Sequence, residues 1–364
     1  MNIIEQHIFD FHMKNLDTRW ENFAKEVMAE QTPETFSVLY ATDTHYIRKY
    51  APNVPAYYKV KEMVDFSGYA GIDLLAITGD LVDGNTTISR QYRDLYDFVN
   101  LVRNSKTTSV VLSKGNHDDC SWYAFQHKLD SSNWISDEQW YTHVVNPIRV
   151  QYPMVLDPEN IAGGYYYVDY PLHKIRVINI NTNDIMNEPN KDGILDNQKA
   201  CGQWCQGLRG KQLRWLKNAL TFEEEGWSVM LMSHNFLISY GDEYEVHNGQ
   251  AAWDMLVAFK NKQKGSMHND EKYYEIDMDY DFTNNKSCDV LPYIFGHCHK
   301  DNVLVFDGIT SVSSQHIIAQ TTRDFDTPVS KITGGWECML LDKSKRTLKI
   351  KRFGVPEADR NIEY

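Results

Sequence analysis

Five apolar runs in this chain stop in the same kind of polar turn. FSVLYA (36–41) runs into Asp43-Thr44-His45, DLLAIT (73–78) into Gly79-Asp80-Leu81-Val82-Asp83-Gly84, and SVVLS (109–113) into Gly115-Asn116-His117-Asp118. Further on, VMLM (229–232) runs into Ser233-His234, and VLPYIF (290–295) into Gly296-His297-Cys298-His299. Short apolar runs bounded by Gly and Asp read as buried strands. In open α/β sheets, ligands bind just beyond the carboxyl ends of the strands. The five turns are therefore expected to converge on one crevice, which demands an α/β fold with its chemistry gathered at one sheet edge.

The intervening sequence supports that class. Helical stretches at about 56–67 and 89–102 separate the first three runs, and strand–helix–strand units at this spacing predict right-handed crossovers in a largely parallel sheet. Before them, Ile4, Ile8, Phe11, Leu16, Trp20, Phe23 and Val27 recur at three- and four-residue steps, the mark of one or two amphipathic helices. The second half reads as strand-rich, with strands at 165–170, 174–180, 228–232, 290–295, 302–306 and 347–352. A helix at 212–220 carries Leu213, Leu216 and Leu220 on one side. The polar stretches 127–149, 181–207 and 265–287 exceed ordinary connections. The expected organisation is an N-terminal helical segment (1–34), a core domain (35–354) with insertions at 119–165, 181–207 and 237–289, and a C-terminal tail (355–364).

Composition narrows the setting. Against 37 Lys and Arg stand 50 Asp and Glu, a formal net charge of −13, which repels phosphate backbones and argues against non-specific nucleic-acid binding. No run approaches the roughly 18 apolar residues of a membrane span. Met1–Lys14 lacks the apolar stretch of a signal peptide. The six cysteines (Cys120, Cys201, Cys205, Cys288, Cys298, Cys338) show no disulfide or zinc spacing. A cytoplasmic protein is the simplest expectation, with oligomeric state open.

Imidazole and carboxylate donors together suit zinc, iron or manganese, whereas an all-oxygen set would suit magnesium or calcium. In an extended D-x-H or H-x-H segment the outer residues point the same way, so both can face one ion. Glycines before Asp80, Asn116 and His297 permit close backbone approach. Two ions about 3.5–4 Å apart can clamp a phosphoryl group and generate a nucleophile near neutral pH.

In order and placement, Asp43-x-His45, Gly79-Asp80-x-x-Asp83, Gly115-Asn116-His117-Asp118, His234 and Gly296-His297-x-His299 resemble the five blocks of the calcineurin-like metallophosphoesterase superfamily. The resemblance implies two packed mixed β-sheets flanked by helices, a four-layer α/β/β/α sandwich. It implies one metal held by Asp43, His45, Asp80 and His299, and a second held by Asp80, Asn116, His234 and His297, with Asp80 bridging. It further implies in-line attack on phosphorus by a metal-bridging hydroxide. His117 would contact a phosphate oxygen and protonate the leaving alkoxide, Asp118 would orient it, and Asp83 would support the turn or a ligand. Manganese is the first expectation for the metals, with iron or zinc as alternatives. The purple acid phosphatases place a Tyr ligand a few residues beyond the second block's Asp; Leu81, Val82, Asp83 and Gly84 stand here instead.

A phosphodiester is the favoured substrate, with a phosphomonoester as the alternative. A virion- or cell-surface-associated hydrolase of polyol-phosphate polymers is a further reading, since helices and aromatic insertions could dock the chain on a larger assembly. A non-catalytic binding protein is disfavoured because no ligand is missing. Cys298 is expected to point away from the metals, and the remaining eight histidines carry no functional expectation. Tyr273, Tyr274 and Tyr280 are expected to anchor an insertion, and Arg209 and Lys211 to be solvated.

Overall fold

The first three runs form the strands expected of them, and all three are buried along their whole length because both sheet faces are covered: β1 (Thr35–Ala41), β2 (Leu74–Ile77) and β3 (Ser109–Leu112). The computed structural model describes residues 21–47, 54–197, 201–239, 245–317, 335–354 and 358–364. β1, β2 and β3 pair in parallel, connected through α1 (Val54–Phe66) and α2 (Ile88–Val102). Leu95, Phe98, Val99 and Val102 recur at helical spacing on α2 and are all buried.

This sheet is mixed rather than largely parallel. β10 (Trp336–Asp342) lies antiparallel beside β1, followed outward by β11 (Thr347–Phe353) and β12 (Arg360–Glu363), giving the order β12-β11-β10-β1-β2-β3. β10 carries no polar turn motif, and its alternation is broken by Glu337, a buried carboxylate paired with Arg352 and Arg360. The C-terminal residues expected as a tail thus include an edge strand, fixed by buried Ile362 and by the Arg360–Glu337 pair.

A second, eight-stranded mixed sheet contains β4 (Tyr166–Tyr170), β5 (Ile175–Asn179), β6 (Ser228–Ser233), β7 (Tyr293–Phe295), β8 (Asn302–Phe306) and β9 (Ile309–Ser313) in the order β8-β9-β7-β6-β5-β4, with Val155–Leu156 beyond β4. The run at 290–295 breaks in two, because Pro292 has no N–H to donate: Asp289–Val290 and β7 each pair separately with β6.

The sheets meet face to face. The Tyr40 hydroxyl reaches the Phe295 carbonyl at 2.9 Å, Ser113 Oγ donates to Asn179 Oδ1 at 2.6 Å, and Phe36 packs edge-on against Tyr170. On the outer side of the second sheet, α3 (Gly210–Ala219) and α4 (Gly249–Lys260) bury Leu213, Leu216, Trp253, Leu256 and Phe259, each worth roughly 1.5–3 kcal/mol when fully covered. A helix at 21–30 sets Phe23 against Phe66, Trp336 and Phe353; the apolar positions expected at Ile4, Ile8, Phe11, Leu16 and Trp20 lie outside the described residues.

The polar stretches carry structure of their own. Residues 137–149 are continuously helical, opened by a Ser136–Gln139 capping box. Residues 265–287 contain a hairpin, Lys264–Asn269 with Ile276–Asp281. Its second strand alternates in burial and turns Ile276, Met278 and Tyr280 into the core. Buried Tyr274 and Tyr280 therefore anchor this insertion, as expected. Among the described residues, no helix is long and apolar enough to cross a membrane.

Candidate metal centre

The strand ends do gather the five turns, by a backbone route different from the one expected. β1 and β2 stay paired past their ends: Asp43 N–H donates to Gly79 O (3.1 Å), His45 N–H to Asp80 O (2.9 Å) and Tyr46 N–H to Leu81 O (3.1 Å). The D-x-H and H-x-H segments are not extended. Asp43, His45, Asp80, His297 and His299 all have positive φ, between 42° and 68°. Left-handed turns, not strand alternation, aim both outer residues of each segment inward. Such conformations are costly for non-glycine residues and persist where the surroundings over-determine them. Two glycines admit the close approach. A Cβ on Gly115 would lie 2.2 Å from the Asp80 nitrogen and Oδ1, and one on Gly79, at φ +87°, would lie 2.5 Å from His234 Nδ1.

Two donor groups result. In the first, His299 Nε2 lies 3.1 Å from Asp43 Oδ1 and 3.3 Å from His45 Nε2, and His45 Nε2 is 3.8 Å from Asp80 Oδ2. One donor atom from each of these four residues falls within 4.8 Å of the others, a geometry that could hold a metal ion. In the second, Asn116 Oδ1 lies 2.9 Å from His234 Nε2 and 3.0 Å from His297 Nδ1, while Asp80 Oδ1 is 3.3 Å from His234 Nε2. Asp80 thus offers one oxygen to each group.

The donor chemistry calls for positive charge at both places. His234 Nδ1 sits 2.8 Å from the Thr78 carbonyl, which fixes a proton there and turns Nε2 inward. Nε2 then faces Asn116 Oδ1 and Asp80 Oδ1 in a buried site. Burial opposes a charge on His234, yet Asp80 and Asp43 pull its pKa up to about 10. Burial, with His117 adding to it, holds His45 down to about 3, and burial with His234 holds His297 down to about 4. Both are therefore neutral imidazoles, the form that ligates metals. Burial raises Asp43 and Asp80, but the histidines around them, His299 for Asp43 and His234 for Asp80, bring both below the usual carboxylate range.

His117 stands at the rim. Its Nδ1 is 2.5 Å from the Asp83 carbonyl and its Nε2 3.9 Å from Asp80 Oδ2. His45, Asp83 and His117 also bring donor atoms within 4.8 Å of one another. Asp118, expected beside His117 as its orienting carboxylate, points elsewhere. Its oxygens accept from Gly115 N–H (2.7 Å) and Val82 N–H (3.2 Å), tying the second turn to the third. Burial, with Asp80 nearby, holds its pKa well above the usual range. His117 is oriented by a main-chain carbonyl instead. Cys298 turns away toward Ser313 Oγ (3.2 Å), as expected.

Three contributors carried no sequence signal. Gln91 donates to the His117 and Asp118 carbonyls (both 3.1 Å) from α2, Gln203 Nε2 lies 3.4 Å from His117 Nε2, and the His316 ring stacks on His299 at 4.6 Å. Each belongs to a segment with no motif, and only tertiary folding brings it here. Arg209 proves neither solvated nor directed at the site. It forms ion pairs with Asp184 and Asp137, and Lys114, directly before the third turn, also pairs with Asp137 (3.5 Å).

The family model of calcineurin-like phosphoesterase matches residues 36–301, which includes all five turns. A comparison with curated proteins finds no match. Among solved structures, the chain is similar to a dimetal phosphatase from Danio rerio, with TM-score 0.57 and 14% identity over 90% of this chain and 99% of that one. A Thermus thermophilus protein aligns at TM-score 0.42 and 10% identity, covering 87% of this chain and 99% of that one. A Plasmodium protein described as the anchor in the inner membrane complex aligns at TM-score 0.46 and 11% identity, covering 90% and 89%.

Proposed function

This chain belongs to the calcineurin-like phosphoesterase family, and we propose from that premise that it hydrolyses a phosphodiester with two divalent metal ions. The observation that carries the reading is the convergence of Asp43, His45, Asp80 and His299 within 4.8 Å, with Asn116, His234 and His297 gathered on the other oxygen of Asp80. Asp43, His45, Asp80 and His299 would hold one ion, and Asp80, Asn116, His234 and His297 the other. Bound there, two ions supply charge stabilisation at the phosphoryl group and a nucleophile available near neutral pH; manganese is the first candidate.

The protein's own groups do the rest. His117, held through Nδ1 by the Asp83 carbonyl, presents Nε2 toward the metal-ligand carboxylate Asp80, where it can pass a proton to the departing oxygen. Asp118 and Gln91 hold the turn that carries it. A diester is preferred to a monoester on charge. A monoester carries a second negative charge, yet Lys114, directly before the turn that carries Asn116 and His117, is already engaged by Asp137.

The test is turnover of bis-p-nitrophenyl phosphate against p-nitrophenyl phosphate with Mn²⁺, before and after EDTA. Faster diester turnover that EDTA abolishes and Mn²⁺ restores supports the reading. A monoester preference overturns the diester assignment, and chelator-insensitive turnover with the metal verified as removed overturns the metal dependence.

A further inference from the structure

We propose that Gln203 is a specificity-determining residue. Its carboxamide binds a hydroxyl carried next to the ester oxygen of the departing alcohol, so that phosphoesters of polyhydroxy alcohols are preferred. This rests on the phosphoesterase reading above.

The segment carrying Gln203 is built to hold a side chain against His117. Cys201 is buried in an apolar cluster with Ala124, Trp134 and Leu195, and its Sγ contacts Ser121 Oγ at 3.5 Å. Gly202 N–H donates to Asn187 Oδ1 (3.2 Å), and Asn183 Nδ2 donates to the Gly202 carbonyl (3.4 Å). A helical-type bond from Cys205 N–H to Cys201 O (3.0 Å) closes the turn. A side chain on such a rigid support is placed with little entropy left to lose.

The carboxamide itself is poorly satisfied. Its Nε2 reaches His117 Nε2 at 3.4 Å, the outer limit for a hydrogen bond. Its Oε1 is buried with no partner. Turning the amide over exchanges the two ends and still leaves one of them orphaned. A buried unpaired polar atom is destabilising, and an apolar side chain of similar length would remove that cost. The unpaired end beside His117 leaves the amide with bonding capacity that a ligand there can take up. Gln203 is part-exposed, and the terminal torsion of Gln is soft, so either end can turn to a ligand at His117. That is where the departing alcohol leaves. A hydroxyl both donates and accepts, so it satisfies the amide in either orientation; a plain alkyl or aryl group satisfies neither.

The experiment uses the full chain loaded with Mn²⁺ and a matched pair of esters, methyl glyceryl phosphate and methyl propyl phosphate. Wild type is expected to favour the glyceryl ester by roughly tenfold in kcat/KM, the scale of one hydrogen bond to a neutral partner. Gln203→Leu and Gln203→Met should erase that preference, slowing the glyceryl ester roughly tenfold more than the propyl and bis-p-nitrophenyl esters. Isothermal titration of both esters into the Mn²⁺-loaded His117→Ala protein, with and without Gln203→Leu, gives a readout independent of turnover and should show the same loss for the glyceryl ester. Equal losses on all esters would overturn the proposal and make Gln203 a positioning residue for His117. The absence of any preference in wild type would overturn it too. No turnover of any phosphoester by the two-metal protein would instead sink the phosphoesterase reading on which it rests.

Discussion

Adding one methyl group at Gly115 tests whether the site depends on backbone contact as closely as the structure requires. The Cβ of Gly115→Ala would lie 2.2 Å from both the Asp80 nitrogen and Asp80 Oδ1, against about 3.0 Å for the tightest real contacts. One of the two turns must therefore move by about 0.8 Å. Neither can do so cheaply. Asp80 is held by its carbonyl's bond from His45 N–H, and Asp80 Oδ1 accepts from His117 N–H at 2.9 Å. The Gly115 N–H is in turn bound by Asp118. A displacement near 1 Å at reacting groups costs about 10²-fold in rate, and overpacking of this kind costs roughly 1–3 kcal/mol of stability. Gly68→Ala is the control, because its Cβ would meet Asp65 O and Lys106 Cγ at 3.6 Å, ordinary contact. The assay measures Mn²⁺-dependent diester turnover, bound metal per chain and the urea unfolding midpoint for both variants. Gly115→Ala should lose about 100-fold in turnover and bind less metal, while Gly68→Ala stays near wild type. Wild-type turnover and metal content in Gly115→Ala would refute the reasoning, since the two turns would then tolerate separation.

Other substitutions separate the roles assigned within the site. Asp80→Asn should weaken both metals and cut turnover by more than roughly 100-fold; two retained metals with near-normal rate would remove Asp80 from its bridging position. His117→Ala should keep its metals while turnover falls about 10²–10⁴-fold, most for esters with poor leaving groups, so metal loss in this variant would make His117 a ligand. Arg209→Met leaves buried Asp184 without its cation and should cost roughly 3 kcal/mol or more in urea denaturation; an unchanged midpoint would mean the pair with Asp137 and Asp184 contributes nothing net.

What the sequence disclosed depended on whether a signal was local. The five turns were legible because each pairs an apolar run with a punctuated end, and α/β topology assigns such ends to one crevice. Strand β10 is not legible because its buried Glu337 breaks an apolar pattern, and that carboxylate is satisfied by Ser314, Arg352 and Arg360, elsewhere in the chain. The helices within 137–149 and the hairpin near 265–287 were hidden by polar composition, since each shows the core only one narrow face. Gln91, Gln203 and His316 were invisible for a third reason. Their partners lie 26, 86 and 17 residues away in the chain, and no local spacing encodes such a meeting.

The backbone at the turns brings the site residues together by a local geometry other than the extended one expected. Strand alternation would aim Asp43 and His45 together with no local cost, and the same holds for His297 and His299. The protein instead holds all four, and Asp80, at positive φ, a conformation that disfavours residues with a Cβ. Among the described residues thirteen non-glycine positions have positive φ, and these five are among them. A left-handed residue bends the chain sharply enough to return main-chain N–H groups to the adjacent turn, as His45 N–H does to the Asp80 carbonyl and His297 N–H to Asp43 Oδ2. The strain is thus balanced by bonds between turns, so that each donor is fixed by its neighbours' backbone before any ion is present. Side chains fixed in this way stay in place, and His234 Nε2, Asn116 Oδ1 and Asp80 Oδ1 remain converged. Such a site favours occupation by a cation over any rearrangement of its own.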